Sequence, residues 1–169
     1  MKAKPVEPVD GIGPKLVPAA FTLVLAILSV IPLGIPGYAQ VTPNYVLMSI
    51  YYWTIYRPDH LPYLVVFLIG LLVDLLTFGP PGVTPFALLI VRATVLSQRK
   101  FFVGKNFPIL WWGFALAAGA VTFLSWGVGG FYSGRLLDPR SFAFQAVLTA
   151  AVYPVLSWVF SRVQRVMSR

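Results

Sequence analysis

Six apolar segments follow one another along this chain with only short polar connections between them: Leu16–Leu33, Val41–Tyr56, Leu61–Phe78, Val83–Leu96, Pro108–Val128 and Phe142–Phe160. A membrane-spanning helix needs about 20 residues, with a range of about 17–25. The first, third, fifth and sixth segments reach that length within a residue or so. The second and fourth are short. They either cross with the help of tilt, bilayer thinning and flanking anchors, or they re-enter from one side. A water-soluble fold fails on composition: of 169 residues 58% are hydrophobic and 11% charged. Too little polar surface remains to cover such a core. The expected fold is an all-α integral membrane protein, one bundle of about six transmembrane helices.

The cations choose between six crossings and fewer. With the N-terminus inside and six spans, Lys2, Lys4, Lys15, Arg57, Arg99, Lys100, Lys105, Arg162, Arg165 and Arg169 fall on the cytoplasmic side. Arg135 and Arg140 fall outside, and Arg92 lies within the fourth segment. If the second segment failed to cross, every later loop would change sides, and most cations would lie outside. Short basic loops stay cytoplasmic, so the pattern favours six spans with both termini in the cytoplasm. The chain then divides into a cytoplasmic tail over residues 1–15, a six-helix membrane domain over 16–162 and a basic tail over 163–169. A cleaved signal peptide is the rival reading of the N-terminus, but its apolar stretch is long and Pro36-Gly37-Tyr38-Ala39 is a poor cleavage site.

Aromatic residues fit the same placement. Trp53, Trp111, Trp112 and Trp158 fall near the expected inner interface, and Tyr38, Tyr45, Trp126 and Tyr132 near the outer one. Tyr45, Tyr51, Tyr52, Trp53 and Tyr56 crowd the second segment, as expected of a short helix anchored at an interface. The net charge is +8, but the cations are dispersed between apolar segments. That distribution suits topology and anionic membrane lipid, not nucleic acid.

An enzyme built on this chain would have few tools. It has no cysteine and one histidine, and its five acids are Glu7, Asp10, Asp59, Asp74 and Asp138. No carboxylate pair recurs at helical spacing, and nothing near Asp59 and His60 completes the three or four ligands of a metal centre. A serine nucleophile would lack a base in the apolar segments. No cofactor and no catalytic residue is expected. Small residues on the fifth segment (Gly113, Ala117, Val121) and the sixth (Ala143, Ala146, Ala150, Pro154) form smooth stripes that let helices approach closely, most simply within the bundle.

Two charges inside apolar segments stand out, because each costs on the order of 3 kcal/mol at the centre of a spanning helix. Asp74 lies in Gly70-Leu71-Leu72-Val73-Asp74-Leu75-Leu76, and Arg92 in Leu88-Leu89-Ile90-Val91-Arg92. The tight Gly79-Pro80-Pro81-Gly82 turn makes their helices antiparallel neighbours, and their depths differ by roughly 7–10 Å. Helical side chains lean toward their own N-terminus, which brings the two toward each other. One reading is an intramembrane pair of Asp74 and Arg92, direct or through water. The other is that Arg92 snorkels to the inner face while Asp74 caps amides around the turn.

Taken in order, Arg57-Pro58-Asp59, the Gly70–Leu76 segment with its Asp74, and the turn Gly79-Pro80-Pro81-Gly82 resemble the MreD family, the small membrane subunit of the bacterial rod-shape machinery. The likeness covers roughly Leu16 to Arg165, and Pro81 departs from the small or aliphatic residue usual there. Local physics explains most of the motif as fold construction: Pro58 suits a helix start, Asp59 the positive helix end, Gly70 a close helix approach, and Gly79 and Gly82 the turn around Pro80. The resemblance implies a non-enzymatic scaffold that binds the bitopic protein MreC. Through that complex it would reach the MreB filament, RodA and a penicillin-binding transpeptidase, and help to position peptidoglycan synthesis along the side wall. The family is also similar in architecture to the substrate-binding subunits of energy-coupling-factor transporters. That likeness gives an alternative, a small-molecule-binding membrane subunit with an outward pocket near Tyr45, Asp74 and the loop Gly130–Arg140. A membrane enzyme acting on lipid is a third and weaker reading.

Overall fold

The computed structural model describes residues 12–30, 42–134 and 138–167. Most of the expected N-terminal tail, the segment around Pro36–Ala39 with Tyr38, and Arg135 lie outside the described residues. The helices are α1 (Ile12–Val30), α2 (Tyr45–Tyr56), α3 (Tyr63–Thr77), α4 (Val83–Ser97), α5 (Arg99–Phe102), α6 (Phe107–Ser133) and α7 (Pro139–Met167). A 3-10 turn, Pro58–His60, joins α2 to α3. Six of these helices correspond in order to the six apolar segments. The four-residue α5 was not expected. Among the described residues α6 and the Pro139–Arg165 part of α7 are long and apolar enough to span a membrane by themselves.

The bundle is organised around α2, the shortest of the six helices that match the apolar segments. Every residue from Val46 to Ile55 is buried, and α2 touches α1, α4, α6 and α7. A helix apolar on all sides belongs in an interior. Twelve residues make a rod of about 18 Å, too short to cross hydrocarbon alone. It is surrounded by protein, however, and its ends are satisfied by protein groups as non-aqueous surroundings require. At its start Asn44 Oδ1 accepts from the Leu47 amide (3.0 Å), and the Asn44 amide donates to Thr149 Oγ1 on α7 (3.1 Å). The expectation of interfacial anchoring is corrected here. Tyr51, Tyr52 and Trp53 are core residues, with Trp53 0% exposed. Sequence could not separate the cases, because lipid and protein interior are both apolar.

The outward surface is apolar too. Leu64, Leu68 and Leu75 on α3, Leu116 and Phe123 on α6, and Val147 and Val155 on α7 are all exposed. Contiguous apolar surface of this extent suits hydrocarbon rather than water. Inside, polar groups bind helices together: the Thr22 and Ser49 hydroxyls share a hydrogen bond of 2.7 Å between α1 and α2. Pro154 lies inside α7. A proline has no amide proton for the carbonyl four residues earlier, and that carbonyl, Ala150 O, accepts from the Trp111 indole at 2.8 Å. The gap in one helix thus becomes the tie to its neighbour.

The small-residue stripes divide between uses. Gly113 faces α2: a Cβ there would lie 2.7 Å from the Tyr51 hydroxyl and 2.8 Å from Phe102 Cε1. Tyr51 in turn donates to Leu110 O at 3.0 Å and packs edge-on against Phe114 and Tyr153. Gly113→Ala is expected to lower stability by about 1–2 kcal/mol, as overpacking does. In a Tyr51→Phe background the loss should shrink, because one of the obstructing atoms is gone. Thermal unfolding of the four proteins checks this; an unchanged loss in the Tyr51→Phe background means that Gly113 does not serve that hydroxyl.

Candidate functional site

The motif residues gather at the two ends of the α3–α4 hairpin. At the turn end α3 closes on Phe78, which adopts the left-handed conformation (φ 52°), and α4 opens on Gly82 (φ 99°). Glycine takes this conformation without strain, which accounts for Gly82. The Gly79 amide donates to Asp74 O at 3.2 Å, and Pro80 O accepts from the Val83 amide at 3.4 Å. Asp74, 4% exposed, turns its side chain across the loop. Its Oδ2 accepts from the Gly82 amide at 2.7 Å and the Thr84 amide at 3.3 Å. The first amides of a helix have no intrahelical acceptor and carry the positive end of its dipole. Asp74, near the end of α3, therefore caps the start of α4.

One turn deeper the two helices meet without side chains between them. A Cβ on Gly70 would stand 2.5 Å from Pro85 Cα and 2.8 Å from Pro85 N. Pro85 sits in the first turn of α4, where a proline costs no hydrogen bond, and its ring and backbone take the space that Gly70 leaves.

The other end of the hairpin holds Arg92, also 4% exposed. Its Nη2 donates to Pro58 O at 3.1 Å and its Nη1 to Thr54 Oγ1 at 3.4 Å. The guanidinium lies over the Tyr63 ring, 4.7 Å from the centroid, an arrangement favoured by the ring quadrupole. Arg99 adds a second cation, donating from Nε to Ile55 O at 2.8 Å. Both arginines thus serve carbonyls at or just beyond the negative C-terminal end of α2, where cations are favoured. Arg57 supplies the C-cap of α2 through its amide, bonded to Trp53 O at 2.7 Å. Pro58 is buried and Asp59 exposed.

The pair of Asp74 and Arg92 is therefore not formed; each has its own partners at opposite ends of the hairpin. Arg92 bends toward the C-terminal end of its helix, against the usual lean. Its long stem reaches the acceptors that α2 and the 3-10 turn bring there, whereas the short Asp74 side chain reaches only the turn amides. Thr54, Tyr63, Thr84, Pro85 and Arg99 complete these sites. Sequence reading missed them because four of the five are ordinary residues for a helix and only the fold shows what they face. The expected inward stripes are partly outward: Ala143 and Ala146 line a groove with Gly119 rather than a sealed contact.

Chemically, the hairpin's buried charges serve backbone groups, the Thr54 hydroxyl and the Tyr63 ring, and no His, Cys, Asp and Glu cluster that could hold a metal occurs among the described residues. Open apolar grooves lie on the outer flanks among the described residues. Three of them lie between α1 and α3 (about 530 Å³), between α6 and α7 (about 420 Å³) and between α4 and α6 (about 290 Å³). Neither Tyr45 nor Asp74 lines any of them.

Comparison with known proteins gives one match. The family model described as rod shape-determining protein MreD matches residues 10–163. No curated protein and no solved structure matches the chain. The matched stretch contains all three motif elements and nearly the whole bundle, so the chain belongs to the MreD family, bacterial membrane proteins with a role in determining rod shape.

Proposed function

We propose that this protein crosses the inner membrane six times, with both termini in the cytoplasm, as a non-enzymatic scaffold subunit of the cell-elongation machinery. In this reading it binds an MreC-like bitopic protein and, through the complex, MreB, RodA and a penicillin-binding transpeptidase, and so helps to position side-wall peptidoglycan synthesis. Family membership supports the setting. The observation that carries the scaffold role is how the polar residues are spent. Asp74, Arg92 and Arg99 hold helix ends, while the outer flanks offer apolar grooves to whatever lies beside the bundle. Within a membrane, close helix contacts of small and apolar residues are the means by which one spanning helix joins another.

The test is an affinity pull-down of the tagged, full-length protein from gently solubilised membranes, followed by mass spectrometry. Stoichiometric recovery of an MreC-like protein is the expected result. Recovery of ABC-type ATPase subunits with a partner membrane subunit would replace the scaffold by a transporter component.

A further inference from the structure

The groove between α4 and α6 ends against α5, a four-residue helix with two cations in its sequence. The groove's wall runs along α4 through Ile90 and Thr94 to the C-cap Gln98, and along α6 through Gly113, Ala117 and Ala120. On α4 that is about 12 Å of helix. Phe102, in α5, closes one end. Arg99 and Lys100 share the short α5 with Phe102, and Lys105 follows just beyond it; they flank the groove without lining it, and no acid occurs between Asp74 and Asp138.

This basic turn is built rather than loose. Arg99 Nε is bonded to Ile55 O on α2, and the Lys105 amide donates to Phe102 O at 3.2 Å. The Lys105 ammonium stands 5.2 Å from the centroid of the Phe101 ring. Lys100 and Lys105 are exposed, as are Phe101, Phe107 and Trp112 around them. Aromatic rings beside lysine and arginine are the side chains that settle at headgroup level, and basic pockets between transmembrane helices take anionic headgroups. Below that level the groove is mostly apolar, with Tyr51, Thr94 and Gln98 its polar residues.

We propose that this groove binds one anionic phospholipid, an acyl chain lying between α4 and α6 and the phosphate facing Lys100 and Lys105. A zwitterionic lipid would bring a cation to an already basic turn, and an apolar partner helix would leave the lysines without a counterion. The charge of the turn therefore selects the headgroup, and the depth of the groove takes the chain.

Full-length protein in detergent, incubated with dioleoyl phosphatidylglycerol or dioleoyl phosphatidylcholine and examined by native mass spectrometry, tests this. One phosphatidylglycerol should be retained preferentially. Lys100→Gln with Lys105→Gln should reduce that retention roughly thirtyfold, from the usual worth of two lysines at an anionic surface. Both positions are exposed, so the double variant should fold normally. Ala120→Phe, which fills the groove from its exposed edge, should release the lipid while leaving the lysines in place. Equal retention of the two lipids would overturn the proposal, as would unchanged phosphatidylglycerol binding in either variant. A copurifying protein that occupies the groove and that phosphatidylglycerol cannot displace would do the same.

Discussion

Asp74→Ala is expected to destabilise the bundle by about 2–5 kcal/mol. Two partly buried amides at the start of α4, those of Gly82 and Thr84, lose their acceptor, and an unsatisfied buried donor costs about 1–3 kcal/mol. Asp74→Asn keeps a carbonyl oxygen at the same reach, and asparagine caps helices nearly as well as aspartate. It should lose less than half as much. Asp59→Ala, at an exposed position, should stay within about 0.5 kcal/mol, the range of ordinary surface substitutions. Thermal unfolding of the purified full-length variants in one detergent, followed by circular dichroism, ranks the four proteins. Equal losses for the alanine and asparagine variants would show that charge, not an acceptor at that place, is what α4 requires. Because Arg92 has its own partners, the losses of Asp74→Ala and Arg92→Leu should add within about 0.5 kcal/mol, as independent sites do. A large coupling between them would restore the ion pair that the geometry denies.

Gly70→Ala should cost about 1–3 kcal/mol, the range for forcing volume into a packed contact, and Gly70→Leu should abolish the native α3–α4 packing. The added Cβ would meet Pro85 Cα, N and Cβ at 2.5, 2.8 and 2.9 Å. These atoms belong to a backbone and a rigid ring, so relief requires the helices to separate. Separation would also pull Gly82 and Thr84 away from Asp74, which couples the two predictions. Gly119→Ala is the matched control: its Cβ would have no neighbour within 4 Å, so it should leave stability unchanged or raise it by a few tenths of a kcal/mol, since alanine is the better helix former. The same unfolding series decides. If Gly70→Ala behaves like Gly119→Ala, the close approach of α3 and α4 is not what holds the hairpin.

Much of the architecture was legible from local chemistry. Uninterrupted apolar runs can only be satisfied as helices when no water is present, so the order of the six apolar helices followed from the sequence. So did the turn at Gly79–Gly82, because glycine and proline restrict the backbone wherever they stand. The three motif elements, each explicable by fold construction, pointed together to the family that the comparison gives. Gly70 as a point of close approach was likewise expected, since a glycine in an apolar helix has few other uses.

Tertiary structure decided the rest. Nothing in Tyr45–Tyr56 distinguishes a short helix anchored at an interface from a helix packed among α1, α4, α6 and α7, because hydrocarbon and protein interior accept the same side chains. Nor did the run Leu88–Arg92 say which way its arginine would turn. That depended on the carbonyl of Pro58, the hydroxyl of Thr54 and the ring of Tyr63, which are distant in sequence and meet only when α2 sits at the centre. The Ala150 carbonyl left unpaired by Pro154 could be read from the sequence as a vacancy, but not that Trp111 fills it. Local rules fix where backbone groups must find partners, and only the packing of non-local segments determines which partners come within reach.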